Sequence, residues 1–81
     1  MTRQELLNVL QTSVNDVLGN QSVMLTPKTK LKNISVTSFA LVQLICSVED
    51  ACDVEISNAE LRSFRTVNDI LDVLEKKVQN A

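Results

Sequence analysis

One glycine and one proline are all that punctuate 81 residues. With so few breakers, the apolar spacing can run on in helices. Three hydroxyl-to-carboxylate patterns mark where those helices begin: Thr2-Arg3-Gln4-Glu5, Ser57-Asn58-Ala59-Glu60 and Thr66-Val67-Asn68-Asp69. In each, the hydroxyl reaches the backbone N–H three residues on, and the carboxylate reaches back. Leu6, Leu7, Leu10, Val14, Val17 and Leu18 follow the first with a 3.6-residue period, and Gly19 stands where that helix ends. The first helix is expected over Arg3 to Leu18. A short helix containing Leu61 and ending near Phe64 follows the second pattern. The third opens a final helix with Val67, Ile70, Leu71, Leu74 and Val78 on one narrow face. Lys76 and Lys77 sit in its last turns, where the helix dipole favours cations.

Another helix, from about Ser38 to Ala51, has more apolar residues than one buried face needs. Leu41, Leu44, Ile45, Val48 and Cys52 gather on one side at about 100° per residue. Phe39, Val42 and Cys46 make a second stripe, with Gln43, Ser47 and Asp50 beyond it. A helix on a small core needs one stripe, so the second asks for a partner. A hydroxyl at the helix entrance, beside an apolar stripe, has the look of a modification and docking site.

The connections are less regular. Asn20 to Thr37 shows neither helical nor strand period, but Val23, Leu25, Leu31, Ile34 and Val36 can pin it to the core at intervals. Lys28, Lys30 and Lys32 give it a basic surface: a solvated face, or a contact for an anionic partner. Asp53 to Ile56 is expected as a short extended link with Val54 and Ile56 turned inward. Three long helices, a short one and a long first loop make a small all-α four-helix bundle of one domain, residues 1–81.

Composition removes several function classes. At 44% hydrophobic and 22% charged the chain is globular, and without Tyr or Trp its core must be aliphatic. Residues 1–37 carry a net charge of +2 and residues 38–81 of −4, which disfavours a phosphate-backbone partner and suits basic patches on other proteins. No apolar run approaches the roughly 20 residues of a membrane span, so no membrane insertion is expected. The start, MTRQELLNVL, lacks the apolar run of a signal peptide. Cys46 and Cys52, on one helix, lie about 9 Å apart along its axis, too far for a disulfide. Free thiols fit a reducing cytoplasm. Two cysteines without histidine make a poor zinc site. The lack of histidine also rules out a Ser-His-Asp triad at Ser38, and no glycine-rich phosphate loop is present, so no catalysis is expected.

The run T-S-F-x-x-V-Q-L-x-x-x-V-E-D-x-x-D-V-E-I over residues 37–56, with T-V-x-D-I at 66–70, resembles the acyl carrier protein family. There the signature reads D-S-L-x-x-V-E-L, then I/L-E-x-x-F-x-V-E-I, then T-V-x-D. The resemblance extends over roughly Glu5 to Lys77 and implies the same bundle. It implies a 4'-phosphopantetheine arm on Ser38, attached by a phosphopantetheinyl transferase, with no catalytic residue and no metal in the chain. Partners would be that transferase and acyl-loading and ketosynthase-type enzymes, met by a monomeric carrier. Docking would fall to the stripe Phe39, Val42 and Cys46, to the rim Gln43, Glu49, Asp50, Asp53 and Glu55, and to Thr37 at the transferase contact. Thr37 replaces the family's Asp, Phe39 its Leu and Gln43 its Glu, and the first loop is basic where most carriers have it acidic. Those departures favour polyketide or specialised lipid assembly over housekeeping fatty-acid synthesis. A peptidyl or aminoacyl carrier of the D-alanyl type is the alternative, since Phe after the serine also occurs there. A helical interaction module that is never modified is a further one.

Overall fold

Among the described residues four α-helices form: α1 (Arg3–Leu18), α2 (Ser38–Cys52), α3 (Asn58–Ser63) and α4 (Val67–Gln79). The computed structural model describes residues 2–19, 24–34 and 38–79, with the side chains of Ser38 and Gln79 outside the description. Val23, Val36 and Thr37, read above as two loop anchors and a transferase contact, lie outside the described residues.

All three capping boxes close. Thr2 Oγ1 accepts from the Glu5 N–H at 3.1 Å, and Glu5 Oε1 accepts from the Thr2 N–H at 2.8 Å. Ser57 and Glu60 repeat the exchange at 3.1 and 2.9 Å. In the third box the Asp69 N–H reaches Thr66 Oγ1 at 3.4 Å, while Asp69 Oδ2 accepts from both Arg65 and Thr66 N–H groups at 2.8 and 3.0 Å. α1 ends at Gly19, whose φ of 56° and ψ of −120° belong to glycine; its N–H closes on the Asn15 carbonyl.

The end of α2 corrects the expected extended link and runs one residue past Ala51. Asp53 has φ of +55°, a left-handed residue where glycine is usual, and the Val54 N–H bonds the Glu49 carbonyl at 3.1 Å. That is a Schellman closure, which reverses the chain direction in one step. Val54 and Ile56 do pack against the core, as expected.

The first loop is more ordered than its spacing suggested. Residues 31–34 form a 3-10 helix with Leu31 and Ile34 both buried. The Val67 N–H bonds the Thr29 carbonyl and the Asn68 N–H the Pro27 carbonyl, each at 2.9 Å. Lys30 pairs with Thr66 as an isolated antiparallel bridge, and the Leu31 N–H reaches the Arg65 carbonyl at 2.9 Å. Leu25 is buried, and its N–H reaches Gln11 Oε1 on α1 at 2.7 Å.

α1 packs on α2 and on α4. Leu6, Leu10 and Val14 meet Leu44, Ile45 and Val48, and Val67, Ile70, Leu71 and Leu74 close the other side with Phe64. Every one of these is an aliphatic side chain except Phe64. Ser13 is buried among them, 3.1 Å from Ser47 across the α1–α2 contact, which places Ser47 at the interface and not in the open sector expected of it. Arg3 bridges α1 to α4 through Glu75 at 2.9 Å, Asn68 at 2.8 Å and Asp72 at 3.0 Å. Its side chain is 40% exposed, so these bonds fix direction more than they add stability.

Two outcomes follow from this packing. Leu44 is 2% exposed, so Leu44→Ala should cost about 2–5 kcal/mol. A bundle of this size has only about 3–5 kcal/mol to lose, and thermal melts by circular dichroism should find the variant partly or largely unfolded. The capping carboxylates predict acid sensitivity. Backbone N–H groups of Thr2, Ser57 and Arg65 hold Glu5, Glu60 and Asp69 below their ordinary range, with Thr66 and Lys77 adding to the effect on Asp69 and Glu60. Groups lowered in the folded state stabilise fully above the ordinary range of about 4, and that help disappears as pH falls through the folded values. Helicity followed from pH 6 to pH 2 should therefore drop on the acid side, and Asp69→Asn should show a shallower drop than wild type.

Candidate functional site

α2 presents different chemistry on its two sides. Toward α1 and α4 lie Leu44, Ile45 and Val48, buried, with Leu41 and Cys52 partly so. Away from them, Phe39 is 72% and Val42 46% exposed, and Cys46 is exposed as well. The outer stripe is exposed, as its spacing predicted. Of the large apolar residues, Met24 in the loop is also open at 81%, a feature the periodicity could not reveal because the loop has none.

Ser38 is the first helical residue of α2. Its place is therefore past the cap, on the first turn, where backbone N–H groups point out of the helix and the dipole is positive. No acidic residue occupies that turn. A phosphodiester there meets favourable charge and no competing carboxylate, so the site fits a 4'-phosphopantetheine linkage.

The remaining candidates separate. Gln43 is exposed, one turn along from Phe39, and Asp50 is exposed two turns further. Asp53 and Glu55 are exposed but stand beyond the far end of α2, about 22 Å along its axis from Ser38. They border a groove of about 660 Å³ between the α2–α3 link and α4, with Lys76 and Lys77 opposite. Glu49, read as part of the docking rim, is half-buried, and its Oε2 accepts the Ile56 N–H at 2.8 Å. Its first task is to fold the link back after α2, a role that a residue pattern of helical spacing does not disclose. Cys46 and Cys52 are free thiols; partial burial pushes the Cys52 thiol up, away from the reactive thiolate. Among the described residues no group of His, Cys, Asp and Glu is disposed to hold a metal, and no helix is long and apolar enough to cross a membrane.

Comparison with known proteins meets this geometry. A family model for the phosphopantetheine attachment site matches residues 8–74, which include Ser38 and all of α2. The acyl carrier protein of Syntrophobacter fumaroxidans is 33% identical over 72 residues, covering 83% of this chain and 89% of that protein. That of Thermotoga maritima is 28% identical over 78 residues, covering 95% and 96%. The meromycolate extension acyl carrier protein of Mycobacterium leprae is 25% identical over 77 residues, covering 94% of this chain and 67% of that protein. The helical bundle, the serine opening α2 and a match spanning most of the sequence agree: the chain belongs to the acyl carrier protein family, whose cofactor is covalently attached 4'-phosphopantetheine.

Proposed function

We propose that Ser38 receives the arm and that the domain formed by residues 1–81 is a carrier for polyketide or specialised lipid assembly. The observation that carries the reading is Ser38 on the first turn of a helix whose outer apolar stripe is open, inside the matched residues. Ser38 Oγ attacks the phosphorus of coenzyme A that bears the pantetheine, not the one bonded to the adenosine. A new O–P bond forms, the bond to the bridging oxygen breaks, and adenosine 3',5'-bisphosphate leaves; the hydroxyl proton passes to a base of the transferase. The thiol at the end of the arm supplies the thioester chemistry. The chain's own residues hold the attachment point at a helix start and offer Phe39, Val42, Cys46 and Gln43 as the surface partners read. In this scheme Ser38 is an acceptor, and reaction at the cargo belongs to the partner enzymes.

Thr37 and Gln43 support the specialised reading. Both are neutral where the family has acids, so long-range attraction to basic partners is weaker than for a strongly acidic carrier. The relative named for meromycolate extension points the same way. The D-alanyl type of carrier is the second reading, favoured by the exposed Phe39 directly after the serine. The carrier is proposed to work as a monomer in the cytoplasm, where Cys46 and Cys52 stay reduced.

Co-expression with a broad-specificity transferase should add one phosphopantetheine to the intact mass, and Ser38→Ala should abolish the gain. Unchanged wild-type mass with several transferases would refute the assignment. The mass of the species held on the arm in its own cell separates an acyl from an aminoacyl cargo. Val42→Lys tests the docking stripe. At an exposed position it should shift stability by only about 0.5 kcal/mol, while a cation in an apolar contact slows modification or loading. A melt as early as that of Leu44→Ala would show that Val42 belongs to the core.

A further inference from the structure

The loop lysines gain a neighbour that is distant in sequence. The Lys30–Thr66 bridge and the Leu31 N–H to Arg65 carbonyl bond set the loop against the α3–α4 turn. A cleft of about 380 Å³ opens between them, lined by Lys30, Leu31, Lys32, Phe64, Arg65 and Thr66. Leu31 turns inward, so Lys30 and Lys32 on either side of it are exposed. The Arg65 guanidinium donates to the carbonyls of Arg62 and Phe64 at 2.7 and 3.0 Å, which holds its charge at the end of α3. Lys28 and Arg62 are exposed as well, and among the described residues neither they nor Lys30 and Lys32 form an ion pair. The acid at the edge, Asp69, already accepts two backbone N–H groups. A molecule of net charge −2 thus keeps one face strongly positive.

We propose that Lys30, Lys32 and Arg65 dock an acidic segment of the partner enzyme that also covers the start of α2. This rests on the carrier reading and adds the chemistry of the partner. Continuity supports it: the 3-10 helix ends at Ile34, four residues before Ser38, so the two points are at most about 14 Å apart. A standard interface covers about 800 Å² on each side, enough for both. A membrane is the poorer occupant, because the apolar residues of the cleft, Leu31 at 8% and Phe64 at 4% exposure, are buried and have nothing to insert. A nucleic acid is poorer still, since the second half of the chain carries −4 and repels a phosphate backbone. The partner's contact surface is then two-signed: acidic toward this loop, apolar toward Phe39 and Val42.

The test uses the isotopically labelled protein, co-expressed with a broad-specificity transferase, and a capped twelve-residue peptide of repeating Glu-Asp-Gly as probe, followed by amide chemical shifts. Shifts should concentrate at residues 28–34 and 62–66 and fade between 50 and 200 mM salt. Lys30→Glu/Lys32→Glu should keep the melting curve and the arm's mass yet lower peptide affinity roughly tenfold or more. No localised shifts, or affinity unchanged in the double variant, overturns the proposal. So does tighter binding of phosphatidylglycerol vesicles or a single-stranded oligonucleotide through the same amides. Intact mass on the same samples keeps the two readings apart. A footprint without arm attachment supports the acidic-partner surface and sinks the carrier reading; attachment without a footprint does the reverse.

Discussion

The bundle depends on how the start of α4 is closed. A helix leaves its first backbone N–H groups without partners, and burying them unpaired is costly. Here the Val67 and Asn68 N–H groups are taken by the carbonyls of Thr29 and Pro27, which lie far earlier in the chain, between α1 and α2. The same seam aligns Lys30 with Thr66 and Leu31 with Arg65. A long polar loop thereby becomes a fixed strap. It seats Leu31 and Ile34 in the core, the second of them four residues short of Ser38 in the chain.

The helix that follows, α2, has to serve two masters. Its inner residues complete a core that is aliphatic apart from Phe64, in a domain with little stability to spare. Its outer residues stay open at a cost in exposed apolar surface. Nothing in the bundle could hold both faces if α2 were free to rotate. The Ser13–Ser47 contact on one side and the Schellman turn at Asp53 on the other oppose rotation. Glu49 adds to this by tying the returning link to the helix body. Asp53 sits in a left-handed conformation that costs a non-glycine residue energy, so the turn is held by the packing of Val54 and Ile56 as much as by its own preference.

The helices, their caps and both faces of α2 were legible in the sequence because each is written at short range. Capping boxes need residues three apart, and faces need a period of 3.6; Thr2, Ser57 and the Leu44–Val48 face all follow from that. What stayed hidden is long-range. No pattern around Pro27 or Thr29 announces that their carbonyls will end on α4. Glu49 has the spacing of a surface acid, and only the folded link reveals the Ile56 N–H above it. The three loop lysines were visible as a cluster, yet Arg65 joins them only through the backbone seam. Ser47 was misplaced for a similar reason: a small hydroxyl reads as surface until a second one, Ser13, faces it across an interface. The proposed attachment at Ser38 comes through family resemblance, since a serine at a helix start is by its own chemistry an ordinary cap.

The charges divide along the same line between local and distant tasks. Glu5, Glu60 and Asp69 are spent on helix starts, and Asp72 and Glu75 on Arg3. Once these are set aside, the acids left free on and just after α2 are Asp50, Asp53 and Glu55, and two of them lie at its far end. An overall charge of −2 therefore says little about what a partner meets near Ser38. Along the chain the last charge before Ser38 is Lys32 of the strap, and the first after it is Glu49, already engaged by the Ile56 N–H. Reading docking polarity from net charge assigns this carrier to basic partners throughout. Reading it after subtracting the structural acids leaves an exposed apolar stripe on α2 and, earlier in the chain, a cluster of exposed loop lysines.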